Sequence, residues 1–174
     1  MAAELKMTAS SADAGNVLQA GSLVMREGMA DNPQPKAREP VLPKDATVLI
    51  VEDNVSNFVL MARMLAYMGV PRCEWKTSGW QVVEFADTLP KIDLILMDIR
   101  LPYEDGYAAL SKVRATRRLK DTIVAAVTAE ASQEQILKAR AAGFDGFLGK
   151  PLDPDRFPDQ IRRLLRGEPV WEMN

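Results

Sequence analysis

The stretch Ile92-Asp93-Leu94-Ile95-Leu96-Met97-Asp98-Ile99-Arg100-Leu101-Pro102 decides how this chain folds. Leu94 to Met97 is short and wholly apolar, the pattern of a strand buried on both faces of a parallel sheet. Asp98 follows directly, and Pro102 and Gly106 break the chain soon afterwards, which puts the carboxylate at the strand's C-terminal edge. In an open α/β sheet that edge is where ligands bind. Asp98 is therefore placed for chemistry rather than for packing.

Outward from this strand the pattern is regular. Thr47 to Val51 reads as a strand, and Ser56 to Met68 as a helix with Val59, Leu60, Met64 and Leu65 at helical spacing and Gly69 as its stop. Cys73 to Lys76 reads as an outer strand, Gly79 to Thr88 as a helix, and Tyr107 to Ala115 as another. Thr122 to Val127 is a strand, followed by a helix over Ser132 to Ala142 that Gly143 ends. Phe147 and Leu148 mark a short fifth strand, and Arg156 to Arg166 closes with a helix ended by Gly167. Strands alternating with helices imply βαβ crossovers and hence an α/β fold with a doubly wound, five-stranded parallel sheet.

Residues 1–45 differ from the rest and read as an N-terminal extension. Val17 to Met29 carries a weak helical stripe, and Pro33, Pro35, Pro40 and Pro43 punctuate an extended linker. The stripe reads as a mostly disordered arm; the sharper alternative is a short helix that docks on a partner or on the domain itself. Residues 46–168 form the regular domain, and 169–174 are expected to be a short C-terminal tail.

Composition narrows the chemistry. Of 174 residues, 47% are apolar and 26% charged, as in ordinary globular chains. The net charge of −2 offers no electrostatic case for nucleic acid or an anionic membrane. Lys112, Arg114, Arg117, Arg118 and Lys120 form a basic stretch that reads as a solvated face. Cys73 stands alone, so no internal disulfide forms and a reducing compartment is expected. The chain has no histidine, which removes His-based triads and His-ligated zinc. No apolar run is long enough to span a bilayer and no signal-peptide pattern opens the chain, so the expected location is cytoplasmic.

The residues after each inner strand carry the chemistry. Glu52 and Asp53 follow the first, Asp98 the third, Thr128 the fourth and Lys150 the fifth. Parallel strands bring all of them to one sheet edge. Three carboxylates at close range repel and need a cation. Oxygen ligands without His or Cys favour a hard ion, Mg²⁺ above all, which completes its shell with water or phosphate oxygen. Lys150 can neutralise a phosphate oxygen and Thr128 can donate a hydrogen bond to another. Asp98 is then either a metal ligand only or the nucleophile that takes a phosphoryl group.

Thr47 to Asn54 (TVLIVEDN), Leu94 to Gly106 (LILMDIRLPYEDG), Val127 to Ala129 and Phe147 to Pro151 (FLGKP) resemble the receiver domain of two-component response regulators, in order and spacing. The resemblance covers residues 46–168 and leaves out 1–45. It implies a flavodoxin-like (βα)5 fold with strand order 2-1-3-4-5. It also implies that Asp98 accepts phosphate from a phosphohistidine on a sensor histidine kinase or histidine phosphotransfer protein. Asp53, Asp98 and the backbone carbonyl of Arg100 would bind Mg²⁺, with Glu52 holding a metal-bound water. Lys150 would contact the phosphoryl group or Asp98, and its bond to Pro151 would be cis. Thr128 would move toward the phosphoryl oxygen, with Phe147 rotating inward behind it; plain core packing is the alternative for Phe147.

Arg100 and Glu130 lie two residues beyond Asp98 and Thr128, with opposite charges. They are expected to pair across the mouth of the site and tune the lifetime of the phosphorylated state. Little chain follows Gly167, so the expectation is a stand-alone receiver, not an enzyme, whose output is a protein contact (with a downstream partner or a second copy as a homodimer), a phosphorelay transfer or competition for kinase phosphate. The alternatives are a degenerate receiver that serves as an interaction module and, further off, a small-substrate phosphatase with an aspartate nucleophile. Against the phosphatase, the nucleophile follows the third strand, residue 100 is Arg, and no cap-sized insertion is present.

Overall fold

A computed structural model describes residues 39–173. The Val17–Met29 stripe, read as a mostly disordered arm with a short helix as the alternative, and most of the proline-rich linker lie outside the described residues. The elements run β1 (Thr47–Val51), α1 (Val55–Tyr67), β2 (Arg72–Lys76), α2 (Val82–Asp87), β3 (Leu94–Asp98) and α3 (Gly106–Ala115). They continue through β4 (Ile123–Thr128), α4 (Gln133–Ala142), β5 (Gly146–Gly149) and α5 (Phe157–Leu165) to β6 (Val170–Glu172). The strands form one parallel sheet in the order β2-β1-β3-β4-β5-β6.

Period-two alternation sorts the core into two layers. Val48 and Ile50 point to the face covered by α1 and α5, where they meet Met61, Leu65, Phe157 and Ile161. Leu49 and Val51 point to the other face, against Val82, Ala109, Leu110 and Ala139 of α2, α3 and α4. Strands β1, β3 and β4 are buried along their whole length, which is why their sequences read as unbroken apolar runs. The helix starts are set by capping side chains. Asn54 accepts from the Ser56 and Asn57 N–H groups, Asp105 from Ala108 and Ser132 from Gln135.

The sequence expectation needs four corrections. The sheet has six strands, not five: residues 170–172, read as tail, pair with β5. Gly167, at φ +78°, turns the chain after α5, and buried Val170 anchors the new strand. Two adjacent apolar residues are too short a run to carry a strand signal. The domain also begins earlier than residue 46. Val41 donates its N–H to the Leu165 carbonyl at 3.1 Å and packs against the α1/α5 core, and Pro43–Asp45 forms a single 3₁₀ turn. Helix α2 starts three residues later than expected, because Gln81 adopts a left-handed backbone at φ 54°.

Finally, the basic stretch is not simply solvated. Arg114 donates to the carbonyls of Gly143, Lys120 and Thr122 and pairs with Asp145 at 2.8 Å, tying the end of α3 to the α4–β5 turn. Among the described residues, no helix is long and apolar enough to cross a membrane.

Candidate functional site

Parallel pairing carries the ends of β1, β3, β4 and β5 to one edge of the sheet, and the predicted residues meet there. Lys150 Nζ bridges Asp98 Oδ2 and Glu52 Oε2, 2.6 Å from each. Carboxylate oxygens of Glu52, Asp53 and Asp98 lie within 4.8 Å of one another. Asp98 Oδ1 accepts the Arg100 N–H at 2.9 Å, which orients the carboxylate from its own loop. The Thr128 hydroxyl accepts the Glu130 N–H at 3.2 Å, while the Thr128 carbonyl accepts the Lys150 N–H at 2.8 Å. The Lys150–Pro151 peptide is cis. Arg100 and Glu130 form an ion pair between two exposed side chains. Phe147 is completely buried.

Two supporting residues escaped the sequence reading. Asn57 donates Nδ2 to Glu52 Oε1 at 3.0 Å, and the Asn54 N–H adds a second bond to that oxygen at 3.2 Å. Trp75, on β2, donates its indole N–H to the Glu52 carbonyl at 2.8 Å and stacks on Phe58 with ring centroids 4.3 Å apart. Asn57 lies five residues beyond Glu52, in the first turn of α1, so its contact is local in sequence. That of Trp75 is not, since only strand pairing brings it to Glu52.

Gly106 explains how close the loop after β3 folds back. Its N–H donates to the Ile99 carbonyl at 2.9 Å, and a Cβ there would stand 2.5 Å from the Asp98 carbonyl oxygen. Only glycine fits.

The electrostatics follow from three carboxylates against one ammonium. Burial pushes the Asp98 carboxyl above its usual range; the hydrogen bonds from Lys150 and Arg100 and the Lys150 charge oppose it, and the Glu52 charge adds to it. Burial alone would lower the Lys150 ammonium, but its bonds to Asp98 and Glu52 outweigh that and hold it above its ordinary value. The site remains short of positive charge. A cluster of hard oxygen donors around a charge deficit fits a divalent cation of the magnesium type.

Comparison with known proteins agrees with this geometry. The family described as response regulator receiver domain matches residues 48–162. The signal transduction histidine-protein kinase BarA of Escherichia coli K12 is 37% identical over 124 residues, which is 71% of this chain and 13% of the kinase. The chain thus spans about an eighth of the length of the curated kinases it resembles.

Among solved structures, the receiver domain of the sensor histidine kinase PA1611 from Pseudomonas aeruginosa is 32% identical, with a TM-score of 0.62. The match covers 71% of this chain and 98% of that one, and that structure holds a magnesium ion in its active-site cleft. The chemotaxis protein CheY4 of Vibrio cholerae is 27% identical with a TM-score of 0.63, over 68% and 98% of the two chains. The fold and the site define a phosphoryl-accepting signalling domain. This chain belongs to the response regulator receiver domain family. Domains of this family work with histidine kinases or phosphotransfer partners and bind Mg²⁺ in the acidic pocket.

Proposed function

We propose that Asp98 is the phosphoacceptor of a Mg²⁺-dependent receiver. The contact of Lys150 Nζ with both Asp98 and Glu52 carries this reading, because it places the one ammonium where transferred phosphate oxygens need charge. An Asp98 carboxylate oxygen bonds to phosphorus as the P–N bond of a partner's phosphohistidine breaks, and the imidazole leaves. Lys150 then follows the added charge onto a phosphoryl oxygen, and the Thr128 hydroxyl turns to donate to another. Glu52, Asp53, Asp98 and the Arg100 carbonyl are the groups to hold Mg²⁺, Glu52 through a water. When bound, the ion supplies positive charge that offsets the phosphoryl oxygens.

Thr128 and Phe147 form the switch in this proposal. As Thr128 moves onto the phosphoryl group, the Phe147 ring fills the vacated space, altering the surface of α4, β5 and α5. Arg100 and Glu130 screen the mouth against water. The output is a contact with a downstream protein or a second copy of the chain.

Stand-alone action is supported by the match to the "Probable methanogenesis regulatory protein FilR2" of Methanothrix harundinacea, of which this chain covers 82% at 28% identity. The second reading is a relay receiver serving a larger kinase, favoured by the higher identity to BarA.

Incubation with acetyl phosphate and Mg²⁺ tests the core of the proposal by intact mass. A single-phosphoryl gain that Asp98→Asn abolishes is the expected result. Mass unchanged in the parent protein would leave a degenerate interaction module, and turnover of small phosphate esters would favour the phosphatase. Onward transfer from phosphorylated Asp98 to the histidine of a purified phosphotransfer domain, expected only of a relay receiver, separates that role from the stand-alone one.

A further inference from the structure

The ladder between β1 and β2 ends at the Val51–Lys76 pair. Its last backbone bond runs from the Glu52 N–H to the Lys76 carbonyl at 2.9 Å. Next in a parallel ladder comes the Glu52 carbonyl, at the point where the chain leaves the sheet for the acidic cluster. There a side chain takes over from the strand: the Trp75 indole N–H donates to that carbonyl at 2.8 Å. Residue 52 is thus held by β2 on both sides of its Cα.

The indole is itself held. Trp75 is in register with Ile50, so it points to the face that α1 covers. Phe58, in the first turn of α1, stacks on it with the ring planes 6° apart and the centroids at 4.3 Å. The Phe58 N–H donates to the Asn54 carbonyl at 3.0 Å. The stack therefore joins β2 to the helix that begins just after the cluster, and residues 52–54 lie between these two fixed points.

Asp53 depends on that backbone more than its neighbours do. The Glu52 carboxylate is engaged by Asn54, Asn57 and Lys150. Asp53 is exposed, and among the described residues its carboxylate makes no hydrogen bond or ion pair. Its place in the cluster is set by the main chain, through the Glu52–Asp53 peptide whose oxygen the indole holds.

We propose that Trp75 is a positioning residue for the cation site: by fixing the Glu52–Asp53 peptide, it holds the Asp53 carboxylate beside Asp98 in advance of the ion. This rests on the reading of Glu52, Asp53 and Asp98 as the Mg²⁺ site. A peptide free to rotate would spread Asp53 over several positions, and affinity falls with the fraction that is competent. Partners standing behind a metal's ligands commonly change its affinity by about tenfold or more.

Mg²⁺ titration, followed by calorimetry and by NMR of the indole N–H groups, tests this without a phosphoryl donor. The chain has three tryptophans, so Trp80→Phe and Trp171→Phe assign the Trp75 signal by elimination. In the parent, that signal should shift with the calorimetric midpoint. Trp75→Phe keeps a ring for the stack and loses the donor; it should bind Mg²⁺ roughly tenfold more weakly at temperatures where it is fully folded. Phe58→Leu thins the same packing but keeps the donor, and should retain most of the affinity. Trp80→Phe should retain all of it.

Undiminished affinity in folded Trp75→Phe, or equal losses in Trp75→Phe and Phe58→Leu, would reduce Trp75 to packing and overturn the proposal. No Mg²⁺ binding by the parent sinks the cation-site reading along with it. Should Trp75→Phe not fold, the parent spectrum decides: a Trp75 indole signal unmoved at saturating Mg²⁺ counts against the proposal, and one that follows the midpoint supports it.

Discussion

Lys150 and Asp98 are 52 residues apart in sequence, yet Nζ and Oδ2 stand 2.6 Å from each other, with Glu52 equally close on the ammonium's other side. The pair is largely buried, and among the described residues the Lys150 ammonium is the cation in contact with these two carboxylates. Lys150→Met strips both of their charged partner. Removing one member of a buried ion pair costs about 3 kcal/mol, and urea denaturation in EDTA should show a loss of that order. Added Mg²⁺ should recover part of it, while phosphorylation by acetyl phosphate stays well below the parent rate.

The Arg100–Glu130 pair behaves differently because both side chains are exposed. Exposed pairs contribute at most about 1 kcal/mol, so Arg100→Ala and Glu130→Ala should leave the denaturation midpoint nearly unchanged. Their effect is expected at the phosphoryl group, where each should speed loss of phosphate severalfold and the double variant little more. Unchanged autodephosphorylation in both single variants removes the screening role.

Gly106 links the fold to the chemistry. A Cβ at this position would meet the Asp98 carbonyl oxygen at 2.5 Å and the Ile99 Cα at 2.9 Å, both of them backbone atoms with no rotamer to escape into. Gly106→Ala must shift the end of β3. It should cost about 2 kcal/mol and slow phosphorylation more than its stability loss explains, as measured by acetyl phosphate kinetics well below the melting transition.

Cys73 should be inert in the folded domain. Burial, assisted by the Glu74 charge, pushes its thiol up to about 11. At pH 8 roughly one thiol in a thousand is then thiolate, and labelling with a thiol reagent should be orders of magnitude slower than after unfolding. Only the unfolded chain ionises near the ordinary value, so this thiol makes stability fall as pH rises above about 9. Cys73→Ser should flatten that alkaline slope.

Glu172 gives the opposite dependence. Burial opposes its charge, but the bonds from Gln160 and Arg163 and the Arg156 charge prevail and hold the carboxyl below its usual range. Its contribution is therefore complete above about pH 4.5 and lost as pH falls through the depressed folded value. Glu172→Gln should cost about 1 kcal/mol at pH 7, with the gap to the parent closing on acidification. A constant gap from pH 7 to pH 3 would show that shape, not charge, holds β6.

Leu94–Asp98 shows why so much of this protein was legible in its sequence. A strand buried on both faces must be apolar throughout, and a parallel sheet must send every strand end to one edge. The positions of Glu52, Asp53, Asp98, Thr128 and Lys150 relative to their strands follow from those two rules. Helix starts were legible for a local reason, as Asn54, Asp105 and Ser132 cap by bonds to residues only two or three positions away.

The tertiary structure decided what depends on distant partners. Residues 170–172 carry too short an apolar run to announce a strand, and they become one because β5 offers a free edge, and α5 with its N-cap Arg156 offers three donors for Glu172. Trp75 reaches Glu52, and Arg114 reaches Asp145, only after the sheet has assembled. Asp98 could be read as a carboxylate at the mouth of a buried strand from local pattern alone. That Lys150 touches it, and that Trp171 comes into register beside Phe147, depends on packing between elements, because these hydrogen bonds and contacts are made across strands rather than along them.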